Sequence, residues 1–228
     1  KETLAGLGID YDWSLKAGSK LERREILEHL QEELDNQPDE DPASTVEWLS
    51  LLARAAAFEH DWATQERLLT QALPIHRQIG DRLGEANAIQ ALGDVARMQA
   101  RYDEAAQRYE QALPIYRQIG ARLGEANAIK ALGDVALAQD RYQDAAQRYE
   151  QALPVYRQIG DRLGEANTRV SRARLAIATG EREDAGAEMV EAIRIYAAIG
   201  LTVWAERFRA EAATWDIDED ASDSRSEG

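Results

Sequence analysis

Three asparagines, Asn87, Asn127 and Asn167, stand forty residues apart, and two aspartates, Asp94 and Asp134, keep the same interval. A primary amide offers two donors and an acceptor, so an asparagine ladder at fixed pitch can pair with the backbone of an extended peptide. It can equally fasten each helix to a neighbouring turn. The aspartates either favour a Lys or Arg on a partner or close bridges to Arg97 or Lys130 within the chain. Stepping by forty extends the columns: Arg54, Asp94, Asp134, Arg174; Glu47, Asn87, Asn127, Asn167; Ser50, Gln90, Lys130, Val170; and Ala57, Arg97, Leu137, Ile177. Such residues recognise a ligand rather than transform one.

Bond-making chemistry lacks its parts. His29, His60 and His76 lie in different segments without metal-ligand spacing. His76 shares a column with Tyr116, which points to packing or to the surface. The stretch GDRLGEA lacks the Lys-Ser/Thr pair of a phosphate loop and follows a helical pattern instead of a strand. Carboxylates are plentiful, as solvated helix faces require. No enzyme activity, cofactor or metal is expected.

The interval of forty has a plain source. Residues 71–110 return as 111–150 with 32 of 40 positions identical, and the unit recurs, finally in worn form, to residue 200. A period between roughly 20 and 50 residues marks a stacked array, because one unit cannot bury its apolar face alone. Each unit reads as helix, tight turn, helix. The first helix places Ala88, Leu92, Val95 and Ala96 on one face, and the second does the same with Ala105, Tyr109, Ala112, Leu113 and Tyr116. Small residues, Gly93, Ala96 and Ala105, stand where helices approach closely, and Tyr102 fills the turn between the two.

Punctuation agrees with this division. Gly80, Gly120 and Gly160 end the second helices in the left-handed conformation, and Asp81 and Asp161 cap the next first helix, a cap lost at Ala121. Pro74, Pro114 and Pro154 fall inside the second helices, where each removes one hydrogen bond and bends its helix. A degenerate first unit, with Leu52-Ala53 and Trp62, opens at Pro42 and Ser44, its first helix ending near Glu59. The fourth unit has Arg172-Ala173 for Leu-Gly and Arg182 for the turn tyrosine. After it, Val203, Trp204, Phe208, Ala212 and Trp215 form the face of a capping helix.

These signature positions resemble the tetratricopeptide repeat: Leu92-Gly93, Tyr102, Ala105, Tyr109 and Ala112, again as Leu132-Gly133, Tyr142, Ala145, Tyr149 and Ala152. The unit exceeds the 34 residues usual for the family. Its longer link is similar to that of the Partner-of-Inscuteable and kinesin-light-chain subgroup and of bacterial sensor arrays. The resemblance implies an all-α fold, a right-handed superhelical solenoid of four units and a cap, with first helices lining a concave groove. Groove residues would be Arg54, Asn87, Gln90, Asp94, Arg97, Asn127, Lys130, Asp134, Asn167 and Arg174. The expected ligand is a protein or peptide with Lys or Arg at i and about i+3, flanked by acidic groups facing Arg54 and Arg174. Asp at the centre argues against the terminal-carboxylate clamp of chaperone-binding members. The head, through GIDYD, GSK and a charged helix over residues 20–34, weakly resembles bacterial effector-associated adaptors; the alternative is one extra helix packed on the first unit.

The layout is therefore a head and acidic linker over residues 1–43, an array over 44–200 in units 44–80, 81–120, 121–160 and 161–200, a cap over 201–215 and a disordered acidic tail over 216–228. The net charge is −15. Residues 71–200 hold 17 Lys and Arg against 18 Asp and Glu, so the acidity belongs to the flanks. No segment offers the basic stripe that phosphates require, which excludes nucleic acid. No apolar run is long enough to span a bilayer. The chain has no cysteine, which suits a reducing, cytoplasmic setting. It begins with Lys1 and not Met, as expected of a piece of a longer protein. The function expected is a non-catalytic interaction scaffold. The alternative is a sensor or oligomerising arm of a larger bacterial signalling or defence protein, and near-identical units make self-association a third reading.

Overall fold

A computed structural model describes residues 41–215, and among them the chain forms nine α-helices and no strand. These are α1 (Pro42–Phe58), α2 (Trp62–Ile79), α3 (Arg82–Met98), α4 (Tyr102–Ile119), α5 (Arg122–Ala138), α6 (Tyr142–Ile159), α7 (Arg162–Thr179), α8 (Arg182–Ala198) and α9 (Thr202–Ala213). The expected head helix over residues 20–34, the linker before residue 41 and the tail lie outside the described residues. Two compact units, Lys1–Ala100 and Arg101–Gly228, divide the helices into α1 to α3 and α4 to α9.

In the first unit α1 packs on α2 and α2 on α3. The α1 helix starts with Asp41 in the capping position and Pro42 in the first turn, two residues ahead of Ser44. Proline suits that place because the amide it lacks would have had no intrahelical partner. Phe58 ends α1, one residue short of the expected limit. The turn to α2 passes through His60 with φ 59°, a left-handed conformation at a residue with a side chain, and Asp140 repeats it between α5 and α6 with φ 58°. Periodicity alone had no means of exposing that strain.

The second unit continues pairwise from α4 to α9, and α5 also meets α7. Ala105, Tyr109, Ala112 and Tyr116 of α4 are buried, as are Ala145, Tyr149, Ala152 and Tyr156 of α6. Gly120 and Gly160 end α4 and α6 with φ 71° and 73°. The Asp161 side chain accepts a hydrogen bond from the Gly164 amide at 3.0 Å, whereas Ala121 makes no such bond. Both helices run on through Pro114 and Pro154. Each proline sits on the exposed side of its helix, where the carbonyl it leaves unpaired is open to water.

Gly124 and Gly164 have a role that the repeat pattern did not assign. A Cβ at Gly124 would come within clashing distance of ring atoms of Tyr116, and one at Gly164 within clashing distance of those of Tyr156. In the first unit Gly84 lies in the same way under His76, whose Nδ1 stands 2.9 Å from the Asp81 carboxylate. The buried His76 ring thus serves packing. A methyl group at any of these positions must displace a buried aromatic ring.

The array closes through α9. Phe208 stacks on Tyr196 at 5.1 Å, and Ala205 and Phe208 are buried, with Leu201, Ala212 and Trp215 packed beside them. Val203 and Trp204 were expected on this face. They are instead 75% and 45% exposed, because the helix turns them away from α8 while Ala205 and Phe208 take the buried side.

The Gly164→Ala substitution is expected to lower the unfolding free energy by about 2 kcal/mol, the usual range for overpacking a close contact. Urea denaturation followed by circular dichroism measures it; an unchanged midpoint would show that the Tyr156 ring is free to move aside.

Candidate functional site

The first helices of successive units project the columns singled out above. In the second unit these helices are α5, α7 and α9. Asn127 and Asp134 are seven residues apart on α5, as are Asn167 and Arg174 on α7, so each pair shares a face two turns apart. The side chains then tie the helices together. Asp134 accepts from Lys130 Nζ at 2.7 Å on its own helix, from the Tyr149 hydroxyl of α6 at 3.0 Å and from the Ser171 hydroxyl of α7 at 3.0 Å. Arg174 of α7 donates through Nε and Nη2 to the Glu211 carboxylate of α9, at 2.7 and 2.9 Å. Its guanidinium carbon also lies over the Phe208 ring, 5.9 Å from the ring centre.

The asparagines are bound from behind. Tyr156 of α6 donates its hydroxyl to Asn127 Oδ1 at 2.7 Å, and Tyr196 of α8 donates to Asn167 Oδ1 at 2.5 Å. Burial raises the Tyr156 phenol well above its ordinary value and pushes that of Tyr196 up to about 12. Burial, and then the charge of Asp134, does the same to Tyr149. All three hydroxyls stay protonated and must donate. Each asparagine thereby turns its Oδ1 toward the fold, with its amide nitrogen on the other side. The asparagines are fastened to tyrosines within helices α6 and α8 and not to a neighbouring turn, and Asp134 closes the bridge to Lys130.

In the first unit Arg54 is exposed on α1, and α3 carries Asn87, Gln90, Asp94 and Arg97. Asn87, Asp94 and Arg97 already have interactions within the protein. The Gln90 Oε1 is buried without a hydrogen-bond partner. The polar partners that sequence reasoning missed are Tyr149, Tyr156, Tyr196, Ser171 and Glu211. A signal existed for the tyrosines: they recur on the buried face of the second helices, and a buried phenol needs a partner.

A second polar cluster lies at the turns. Glu125 accepts from Arg117 at 3.0 Å and also pairs with Arg122; Glu165 accepts from Arg157 at 3.0 Å, from Arg162 at 2.5 Å and from Arg169 at 3.3 Å. Burial works against the Glu165 carboxylate, yet the Arg157 hydrogen bond and the charges of Arg162, Arg157 and Arg169 outweigh it and hold its pKa below the ordinary value. Among the described residues no group of His, Asp and Glu is placed to hold a metal ion, and no helix is long and apolar enough to cross a membrane.

Helix pairs stacked so that polar side chains bridge successive first helices define an α-helical repeat scaffold, whose product is a surface. Residues 44–118 match the family model described as tetratricopeptide repeat, and the helix pairs that follow continue the same helix-turn-helix pattern. Comparison with curated proteins gives no match. Among solved structures, the fold is similar to a signal transduction ATPase with numerous domains (STAND) from Pyrococcus horikoshii that bears a tetratricopeptide repeat sensor. The two are 21% identical with a TM-score of 0.70, and the match covers 85% of this chain but only 30% of that one. It is similar also to the Rap conjugation gene regulator of the plasmid pLS20, solved in complex with the Phr* peptide, at 14% identity and TM-score 0.73, covering 93% and 57%. A putative kinesin light chain from Podosopora anserina with nearly identical repeats shares 17% identity and a TM-score of 0.67, covering 87% and 96%. At these identities the likeness is one of fold.

Replacing Asp134 separates its charge from its acceptor. Asp134→Ala strands the buried Tyr149 hydroxyl and should cost about 2 kcal/mol of stability. Asp134→Asn keeps Oδ1 for Tyr149 and Ser171 and loses only the charge pair with Lys130, whose side chains are 18% and 25% exposed, for about 1 kcal/mol. Chemical denaturation compares the two; equal losses would assign the stabilisation to the charge.

Proposed function

We propose that the chain is a non-catalytic interaction scaffold that takes a peptide or helical segment across the face formed by α5, α7 and α9. One observation carries the reading: the Tyr156 and Tyr196 hydroxyls occupy the Oδ1 atoms of Asn127 and Asn167, which leaves amide donors at one per repeat. A ladder of amide donors held in one orientation suits the carbonyls of a peptide backbone. The Rap regulator, which shares the fold, is in complex with a peptide. A basic residue on the ligand would compete with Lys130 for Asp134, and acidic groups would compete with Glu211 for Arg174. On the first unit, taken by itself, Arg54, Asn87, Gln90, Asp94 and Arg97 hold the equivalent columns. A cysteine-free composition suits the cytoplasm as the place of action.

Aspartate is the discriminating replacement at the asparagines, since a carboxylate still accepts from the tyrosine but cannot donate. Peptides selected from a displayed random library on the full chain provide the probe. Asn127→Asp with Asn167→Asp is expected to weaken them about tenfold or more, one neutral hydrogen bond being worth roughly 1 kcal/mol, while the melting temperature holds. Unchanged affinity would place the ligand elsewhere.

A second reading has its own support. The likeness to the STAND protein covers most of this chain and under a third of that one, which favours a sensor arm within a larger signalling protein. Sequencing the reading frame around Lys1 tests it: a nucleotide-binding module in the same frame is expected, and an isolated array would overturn it.

A further inference from the structure

Away from the asparagine face, the turns from a second helix into the next first helix repeat one exposed pattern. Arg117, Ile119, Arg122 and Leu123 occupy the first such turn of the second unit, and Arg157, Ile159, Arg162 and Leu163 the next. Ile199 and Val203 continue the two apolar columns at the third turn. Leu123 is 49% exposed, Leu163 43% and Val203 75%. Arg122 Nη2 lies 3.4 Å from Gln158 Oε1, so successive turns stand side by side and the columns form one stripe. A single exposed leucine means nothing, whereas a contiguous apolar patch rimmed by charge is the mark of an interaction surface.

Charge on the stripe is arranged in depth. The carboxylates of Glu125 and Glu165 are buried, while the arginines that hold them, Arg117 with Arg122 and Arg157 with Arg162, are about half exposed. Each guanidinium spends part of its five donors inward and is thereby fixed in orientation, with the remaining donors facing out. The outer layer is cationic and preorganised.

We propose that this stripe docks an acidic amphipathic helix of a partner protein, with its apolar residues on the isoleucine and leucine columns and its Asp or Glu side chains on the arginines. Two apolar columns match the breadth of a helix with apolar residues at i, i+3, i+4 and i+7. Neighbouring units stack at about 10 Å, the rise of roughly seven helical residues, so one face of the partner stays in register with successive turns. A second copy of this chain, docked stripe to stripe, would set arginine against arginine. This site is separate from the one proposed for peptides on α5, α7 and α9, and it stands or falls independently.

The probe is a fluorescein-labelled synthetic amphipathic helix with a leucine face and glutamates beside it, together with a control in which every glutamate is lysine. Anisotropy against the full chain is expected to show saturable, salt-sensitive binding of the acidic peptide and none of the lysine form. Leu123→Ser with Leu163→Ser should weaken binding about tenfold or more, since each leucine gains roughly a tenfold factor from burial. The Asn127→Asp and Asn167→Asp pair should leave it unchanged. Val203→Ser, at the most exposed position, gives a second reading of the stripe with the least demand on folding. Absence of binding to the wild-type chain, equal binding of the lysine peptide, or indifference to both apolar replacements would overturn the proposal. So would a sedimentation dimer of the wild-type chain that the leucine replacements abolish, which would assign the stripe to a second copy.

Discussion

A buried phenol must place its hydroxyl on an acceptor, and in this array that requirement joins three helices through one side chain. The Tyr156 ring presses on Gly164 at the start of α7, while its hydroxyl reaches Asn127 on α5 and its own backbone belongs to α6. The ring demands a residue without Cβ on one neighbour, and the hydroxyl demands an amide oxygen on the other. Tyr149 makes both contacts on one neighbour, its ring against Gly133 and its hydroxyl on Asp134 of α5. Dispersion holds helices at a distance without choosing a register. The hydroxyl bonds choose it, because a shift by one residue would leave a donor buried and unpaired.

The same economy orients the asparagine face. An asparagine free to flip could offer a donor or an acceptor to a ligand, and would lose entropy in choosing. Tyr156 and Tyr196 make the choice in advance for Asn127 and Asn167, so that both amides are held in one orientation. Asp134 shows the opposite outcome. Three internal donors reach it, and its first service is to hold α5, α6 and α7 together.

Wear in the fourth unit is functional in the physical sense. Arg169 stands where Ile89 and Ile129 stand in earlier units, and it bonds Glu165 and Glu188; Arg172 reaches Glu188 as well. Arg182, in the place of the turn tyrosine, donates to the Trp215 carbonyl at 2.9 Å. Apolar contacts suited to continued stacking are replaced by ion pairs that tolerate water, and α9 then needs to bury only Ala205 and Phe208.

The helices, the left-handed glycines and the aspartate caps were legible in the chain itself, because each follows from neighbours within a few residues. Repetition at forty added the columns, since equivalent residues of stacked units must share a face. Which member of a column meets which partner was not legible. Asn127 finds its donor 29 residues away on another helix, and Asp134 gathers donors from α5, α6 and α7. The exposure of Val203 and Trp204 was decided in the same way, by the rotation of α9 on α8, although periodicity placed both on the apolar face. The need for glycine at Gly124 and Gly164 also came from outside the local sequence, from a ring belonging to the preceding helix. Local periodicity determines what forms a helix and which side is apolar; the distance and rotation between helices, set only when they pack, decide which polar atoms are spent on the fold and which remain for a ligand.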